Sequence, residues 1–219
     1  MFLVEDNKIN WKSLCVAAAV VAFLCALGIF LLDKPLFVFM RRFDGAFARM
    51  LGAFSSFKFL FAISAVVFSI TAAVRIWYIR RRAASYDWLR NLNISGLYVL
   101  SAVLVSGVIT GCLKIFFGRA RPVLWEIFGQ TGFYPFHSEW VFNSMPSGHA
   151  AAAFAAMATV GILFKRYKIP VWIAAALFGL SRIAAGAHWP SDVILGAFIG
   201  IVSAEFIRAA FARLSRRRA

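Results

Sequence analysis

A helix that crosses a lipid bilayer needs about 20 consecutive, mostly apolar residues. The sequence holds six stretches near that length: Leu14–Leu32, Phe57–Tyr78, Leu92–Leu113, Gly148–Phe164, Ile169–Ala187 and Ser191–Ala212. Inside hydrocarbon every backbone N–H and C=O must be paired internally, so isolated runs of this kind can only be helices. The expected fold class is all-α: a polytopic membrane protein with six transmembrane helices, formed by one domain over residues 1–219. Hydrophobic residues make up 62% of the chain, well above the level of soluble domains. The first run is too long for the apolar region of a secretory signal. Asp33-Lys34-Pro35 also stands where a small-residue cleavage site would lie, so the run reads as a retained helix.

The 24 Lys and Arg against 9 Asp and Glu give a net charge of +15. These cations mostly sit between apolar runs and form no basic stripe on a soluble element, which argues against nucleic acid as a partner. They read instead as positive-inside flanks. Arg80, Arg81, Arg82 and Arg90 follow the second run, Lys165, Arg166 and Lys168 follow the fourth, and Arg213, Arg216, Arg217 and Arg218 end the chain. An even number of spans puts these, with Lys8 and Lys12, on one side. Both termini are thus expected in the cytoplasm of a bacterial cell, and the opposite loops in the periplasm. Cys15, Cys25 and Cys112 all lie in apolar runs with no CxxC pair, and read as small buried hydrophobes.

On the outer side, residues 33–56 mix apolar residues with Arg41, Arg42 and Arg49, as a helix lying in the interface would. Residues 114–147 form a connection long enough to be functional. Gly107-x-x-x-Gly111 and Gly196-x-x-x-Gly200 read as helix packing sites.

Ionisable residues at membrane helices are costly and are functional candidates by default. They gather at three outer-side clusters: Lys114 with Arg121-Pro122, then Pro146-Ser147-Gly148-His149, then Ser181-Arg182, His188 and Asp192. Pro146 is expected at the first position of the fourth helix. The N–H groups of Ser147, Gly148 and His149 would then lack helical partners and form an anion site at the positive end of the helix dipole. Gly148 lets an anion approach the backbone, and the Ser147 hydroxyl adds a donor. Pro190 is expected to begin the sixth helix, with Asp192 in its first turn. Folded back, Asp192 accepts from one ring nitrogen of His188, raises the pKa of that ring and leaves the other nitrogen nucleophilic. Lys114, Arg121 and Arg182 supply positive charge for phosphate oxygens. Phosphoryl transfer needs chiefly positioning and charge neutralisation, and no carboxylate cluster suits Mg²⁺ or Ca²⁺. No metal and no cofactor are therefore expected. Arg119 reads as an interface anchor in preference to a second phosphate contact, and His137, beside Glu139, as a surface residue in preference to a head-group contact.

At these residues the chain resembles the type-2 phosphatidic acid phosphatase family. That family's signature is Lys, six residues, Arg-Pro; Pro-Ser-Gly-His; and Ser-Arg, five residues, His, three residues, Asp. Every fixed position is matched between Lys114 and Asp192. The resemblance implies that His188 attacks phosphorus to form a phosphohistidine, that His149 protonates the leaving alkoxide, and that Asp192 holds His188. It implies that Lys114, Arg121, Ser147, Gly148 and Arg182 bind the phosphoryl oxygens, and that the partner is a lipid phosphate in the bilayer. A flippase would need the cations but not the histidine pair. A lipid phosphotransferase would need the same residues as a phosphatase. The soluble haloperoxidases of this fold lack six spans. Arg41, Arg42, Arg49 and Lys58 add outer-face charge that suits a polyanionic head group, which favours a lipid A phosphatase over enzymes acting on undecaprenyl diphosphate or phosphatidylglycerol phosphate.

Overall fold

A computed structural model describes residues 4–5, 8–81 and 87–216. Arg82, Arg217 and Arg218, which contribute to the expected charge bias, lie outside the described residues. Among these residues, apart from a two-stranded antiparallel pairing of Val4–Glu5 with Lys8–Ile9, the regular structure is helical. The helices are α1 (Trp11–Leu27), α2 (Asp33–Arg41), α3 (Ala46–Phe54), α4 (Phe57–Arg80), α5 (Asp87–Phe117), α6 (Pro122–Phe128), α7 (Gly148–Leu163), α8 (Lys168–Ala184) and α9 (Pro190–Arg216).

Among the described residues, five helical stretches are long and apolar enough to cross a membrane, and α7 is a shorter apolar helix of 16 residues. At 1.5 Å per residue α7 is about 24 Å long. It lies at the centre, packed on α5, α8 and α9. Ala150, Ala151, Ala152, Ala153 and Ala155 are wholly buried there. Small side chains permit close approach where packing, rather than water exclusion, holds membrane helices together. Gly196 and Gly200 meet the same helix: a Cβ on Gly196 would overlap the Ser147 carbonyl, and one on Gly200 the Ala151 carbonyl. The packing expectation holds for that pair. Gly107 faces the Phe57 ring, whereas Gly111 has nothing within 4 Å.

The first helix differs from the sequence reading. It does not stop at Leu32 but continues through a π-helical turn, Gly28–Leu32, straight into α2. Pro35 has no N–H and would crowd an ordinary preceding turn. The wide turn directly before it absorbs one extra residue and re-aims the helix. Asp33 is buried as a result. The expected interface segment is thus two helices, α2 and α3, at the end of the bundle that carries the three polar clusters.

Candidate active site

The start of α7 is built around Ser147. The helix begins at Gly148 and not at Pro146; Ser147 caps it, its Oγ accepting from the Ala150 N–H at 3.4 Å. Its own backbone N–H is also occupied, donating to the Asp192 carbonyl at 2.9 Å. The anion site is therefore narrower than the sequence implied: the Gly148 and His149 N–H groups and the Ser147 hydroxyl proton remain. A Cβ on Gly148 would meet only Lys114 Cε at 3.8 Å and Thr110 Oγ1 at 4.0 Å. Its bare face is open rather than filled by protein.

At the start of α9, Pro190 is the first helical residue and Asp192 folds back, as the sequence suggested. Asp192 Oδ2 accepts from the Trp189 N–H at 2.9 Å, the reciprocal half of a capping box. The same oxygen accepts from Ser144 Oγ at 2.5 Å. It stands 3.7 Å from His188 Nδ1, a charge contact longer than a hydrogen bond. His188 Nδ1 is buried without a hydrogen-bond partner. Trp189 anchors this loop through its indole N–H, which donates to the Ala120 carbonyl at 2.9 Å.

The cations come from three elements. Lys114, near the end of α5, donates to the carbonyl of Asn143 at 2.6 Å. Arg121 donates to the carbonyls of Trp140, Ala187 and Asn143 at 2.8, 2.8 and 3.1 Å and stacks over the Trp140 ring at 4.2 Å. A guanidinium has five N–H donors, so Arg121 retains capacity for an anion while bracing the loops. Arg182, on α8, keeps a buried Nε without a partner. Its Nη1 fills the space over Gly52 of α3, where a Cβ would collide with it. The charges of Arg182, Lys114 and Arg121 all bear on His149, and those of Lys114 and Arg121 bear on His188. The three sequence clusters therefore share one site.

Burial holds the His188 imidazole well below its usual pKa, Lys114 and Arg121 push the same way, and Asp192 opposes them. Asp192 pulls the ring upward, as expected, but desolvation of the ring outweighs a carboxylate held 3.7 Å away. Burial and the neighbouring Arg182 lower Arg121 to about 10, against the pull of Asp192.

The PAP2 superfamily model matches residues 95–216, which contain all three clusters and the helices that present them. The chain belongs to the PAP2 superfamily. It is 39% identical to a lipid A 1-phosphatase of Rhizobium etli over 48% of this chain and 45% of that one. It is 37% identical to a lipid A 1-phosphatase of Rhizobium johnstonii over 54% and 48%. The chain thus spans about half the length of these curated relatives. The crystal structure of Aquifex aeolicus LpxE superposes with a TM-score of 0.53 at 23% identity, covering 83% of this chain and 97% of that one. A transmembrane PAP2-type phosphatidylglycerolphosphate phosphatase from Bacillus subtilis superposes with a TM-score of 0.57 at 17% identity, covering 91% and 96%. At these identities the superpositions speak for the fold.

Two residues of this PAP2 site were missed or misread from the sequence. Arg119 is not an interface anchor. It is 6% exposed, lies between the rings of Phe133 and Trp189, and bridges Asp192 to Asp33. Desolvation works against its charge, but the Asp192 and Asp33 carboxylates outweigh it and hold the guanidinium above its ordinary pKa. Asp33 was read only as part of the Asp33-Lys34-Pro35 stretch after the first apolar run, at the start of the interface segment. The signal for it was available, since an ionisable residue joined to a membrane helix is a functional candidate by default. Asp33 and Arg119 also border a cavity of about 420 Å³ whose lining includes Lys34, Phe133 and Trp189, but none of the signature residues. His137 is exposed, as expected, with Nδ1 3.2 Å from the Tyr134 carbonyl.

Proposed function

We propose that this PAP2 protein is a metal-independent lipid phosphatase working through a phosphohistidine at the periplasmic face of a bacterial inner membrane. The observation that carries this reading is geometric: Lys114 reaches the bare face of Gly148 beside His149, Arg121 donates to the Ala187 carbonyl next to His188, the Ser147 N–H donates to the Asp192 carbonyl, and His188 stands beside Asp192. With Nδ1 turned to Asp192, His188 Nε2 attacks phosphorus. The N–P bond forms as the P–O bond to the lipid breaks, and His149 passes its proton to the leaving oxygen. Water, deprotonated by His149, then attacks the phosphohistidine. The N–P bond breaks, inorganic phosphate leaves and His188 is regenerated. Lys114, Arg121, Arg182, the Gly148 N–H and the Ser147 hydroxyl neutralise the equatorial oxygens. The carboxylate oxygens of Asp33 and Asp192 already accept from Arg119, Ser191, Ser144 and Trp189, a donor set poorly suited to holding a cation as well.

The orientation rests on Arg80, Arg81, Lys165, Arg166 and Lys168 lying at the end opposite the site. It makes six crossings, with both termini cytoplasmic. Lipid A phosphate is the favoured substrate, because the relatives named above are lipid A 1-phosphatases. The outer-face charge argues less strongly for it than the sequence implied. Arg41 pairs with Asp44 and Glu126, and Arg49 with Asp44.

Purified protein given lipid A, undecaprenyl diphosphate or phosphatidylglycerol phosphate in detergent, with EDTA and no acceptor, tests the reading. Free phosphate should appear, fastest from lipid A. Release only on addition of an acceptor lipid would make the protein a phosphotransferase. Binding without release would make it a carrier.

A further inference from the structure

Arg119 and Asp33 stand outside the motif positions, yet they are joined to Asp192 by the shortest charge contacts of the site. Arg119 Nη1 donates to Asp192 Oδ1 at 2.5 Å and to Ser191 Oγ at 2.7 Å. Its Nη2 donates to Asp33 Oδ2 at 2.5 Å. Asp33 Oδ1 accepts from the Ser191 N–H at 2.9 Å, and Oδ2 from Ser191 Oγ at 2.6 Å. A carboxylate on the first helix thus caps the first turn of the last helix, across 158 residues of sequence, while holding the arginine that grips Asp192. Asp33 follows directly on the π-helical turn at Gly28–Leu32, and such turns recur at functional sites. A Cβ on Gly28 would press against Ser191, so the two helices touch closely here.

We propose that Asp33 and Arg119 are positioning residues for the phosphatase reaction: Arg119, held in place by Asp33, fixes Asp192 by Oδ1 and so keeps Oδ2 turned toward His188. The proposal rests on the phosphohistidine reading above. With Oδ1 on Arg119 and Oδ2 on Ser144 and Trp189, the carboxylate plane cannot rotate. Oδ2 then faces the His188 ring in one orientation. Without Asp33, Arg119 loses one of its two carboxylates and can follow Asp192 instead of restraining it. A lysine at position 119 is shorter and carries its donors on one nitrogen, so it cannot hold the two carboxylates apart on one rigid plane as the guanidinium does. Partners that orient a metal-ligating histidine typically cost ten- to a hundredfold when lost, and a loss of that order is expected where the oriented histidine is the nucleophile. A latch that only pins α1 and α2 to α9 would instead lower stability and leave the turnover of the folded fraction intact.

The test compares wild-type, Asp33→Asn, Arg119→Lys, Asp192→Asn and Asp33→Asn/Asp192→Asn proteins, purified full length in detergent. The substrate is whichever of lipid A, undecaprenyl diphosphate and phosphatidylglycerol phosphate the wild type hydrolyses best. Asp33→Asn and Arg119→Lys should each lose about ten- to a hundredfold in kcat, with KM held within about twofold. In the Asp192→Asn background, Asp33→Asn should cost less than about twofold more, because its effect runs through Asp192. Wild-type kcat in both variants, or additive losses in the double variant, would overturn the proposal. If Asp33→Asn does not fold, Arg119→Lys is judged by the same kcat and KM criterion. Unfolding of both would make the pair a structural latch and overturn it too. A wild type that releases no phosphate from any of the three lipids removes the phosphatase reading itself, and the proposal with it.

Discussion

The backbone N–H of Ser147 donates to the backbone carbonyl of Asp192 at 2.9 Å, tying the cap of α7 to the first turn of α9. The helix start that offers N–H groups to an anion and the helix start that carries the histidine partner are therefore one rigid unit. Gly196, one turn further along α9, allows the contact, since a Cβ there would overlap the Ser147 carbonyl. Gly196→Ala should force the helices apart. It should cost about 1–3 kcal/mol, as overpacking typically does, and lower kcat with it. Gly111→Ala, inside α5 where nothing lies within 4 Å, should lower neither the unfolding midpoint nor turnover, since Ala favours a helix interior over Gly. Equal behaviour of the two variants would show that the contact is not stressed.

The nucleophile assignment makes a sharper demand. His188→Ala should leave a folded protein with less than a few per cent of wild-type phosphate release, because His188 is the group assigned the N–P bond. Asp192→Asn should be slower than wild type but measurably active, since it orients the ring and does not react. Trapping of acid-labile labelled phosphoenzyme should succeed in the wild type and fail in His188→Ala. A trapped phosphoenzyme in that variant would move the nucleophile elsewhere.

The pH profile follows from the direction of the His188 shift. A neutral ring is needed for attack, and burial holds its pKa well below the usual value. Protonation therefore silences the nucleophile only at pH values well under about 6.5, the ordinary imidazole value. The acid limb of kcat/KM in the free enzyme should lie there. Lys114→Met removes one of the charges pushing that pKa down and should move the acid limb upward, besides weakening substrate binding. An acid limb at or above pH 6.5 in the wild type would mean that the ring is more solvated than its 2% exposure indicates.

What the sequence could and could not reveal divides along chain distance. The capping positions of Ser147, Pro190 and Asp192 are local, so helix-start chemistry located them to within a residue or two. The apolar runs located the helices but not their ends. α5 extends from Asp87 to Phe117, because a helix continues through polar residues once its apolar part is fixed. Contacts across the fold were not legible. The partnership of Asp33 with Arg119 spans 86 positions, and nothing local marks it. The use of the Ser147 N–H by Asp192, and the neutralising of Arg41 by Glu126, were hidden for the same reason.

The membrane orientation is open to a labelling test. Gly132 has a φ of +127°, so a cysteine there would be strained, and the exposed neighbour Thr131 is the better site. In a background lacking Cys15, Cys25 and Cys112, Thr131→Cys should react with an impermeant maleimide on intact spheroplasts. Lys165→Cys, between α7 and α8, should react only after permeabilisation. The reverse pattern would put the site on the cytoplasmic leaflet and make an inner-leaflet lipid the substrate.

The two histidines should differ in how they depend on the leaving group. His188 forms a bond to phosphorus whatever departs. His149, at the start of α7 with Lys114, Arg121 and Arg182 acting on it, is assigned the proton that goes to the departing oxygen. A lipid alkoxide leaves poorly without that proton, whereas an aryl oxide such as p-nitrophenolate leaves readily. His149→Ala should therefore cost on the order of 10²–10⁴ in kcat with a lipid phosphate, the usual span of general acid catalysis. It should cost roughly tenfold less with p-nitrophenyl phosphate. His188→Ala should damage both substrates alike. Comparing kcat rather than kcat/KM matters, because the aryl phosphate lacks the lipid anchor and its binding is weaker throughout. If both variants showed the same leaving-group dependence, the separate labels of acid and nucleophile would fall. The surviving claim would be only that both histidines line the phosphate site.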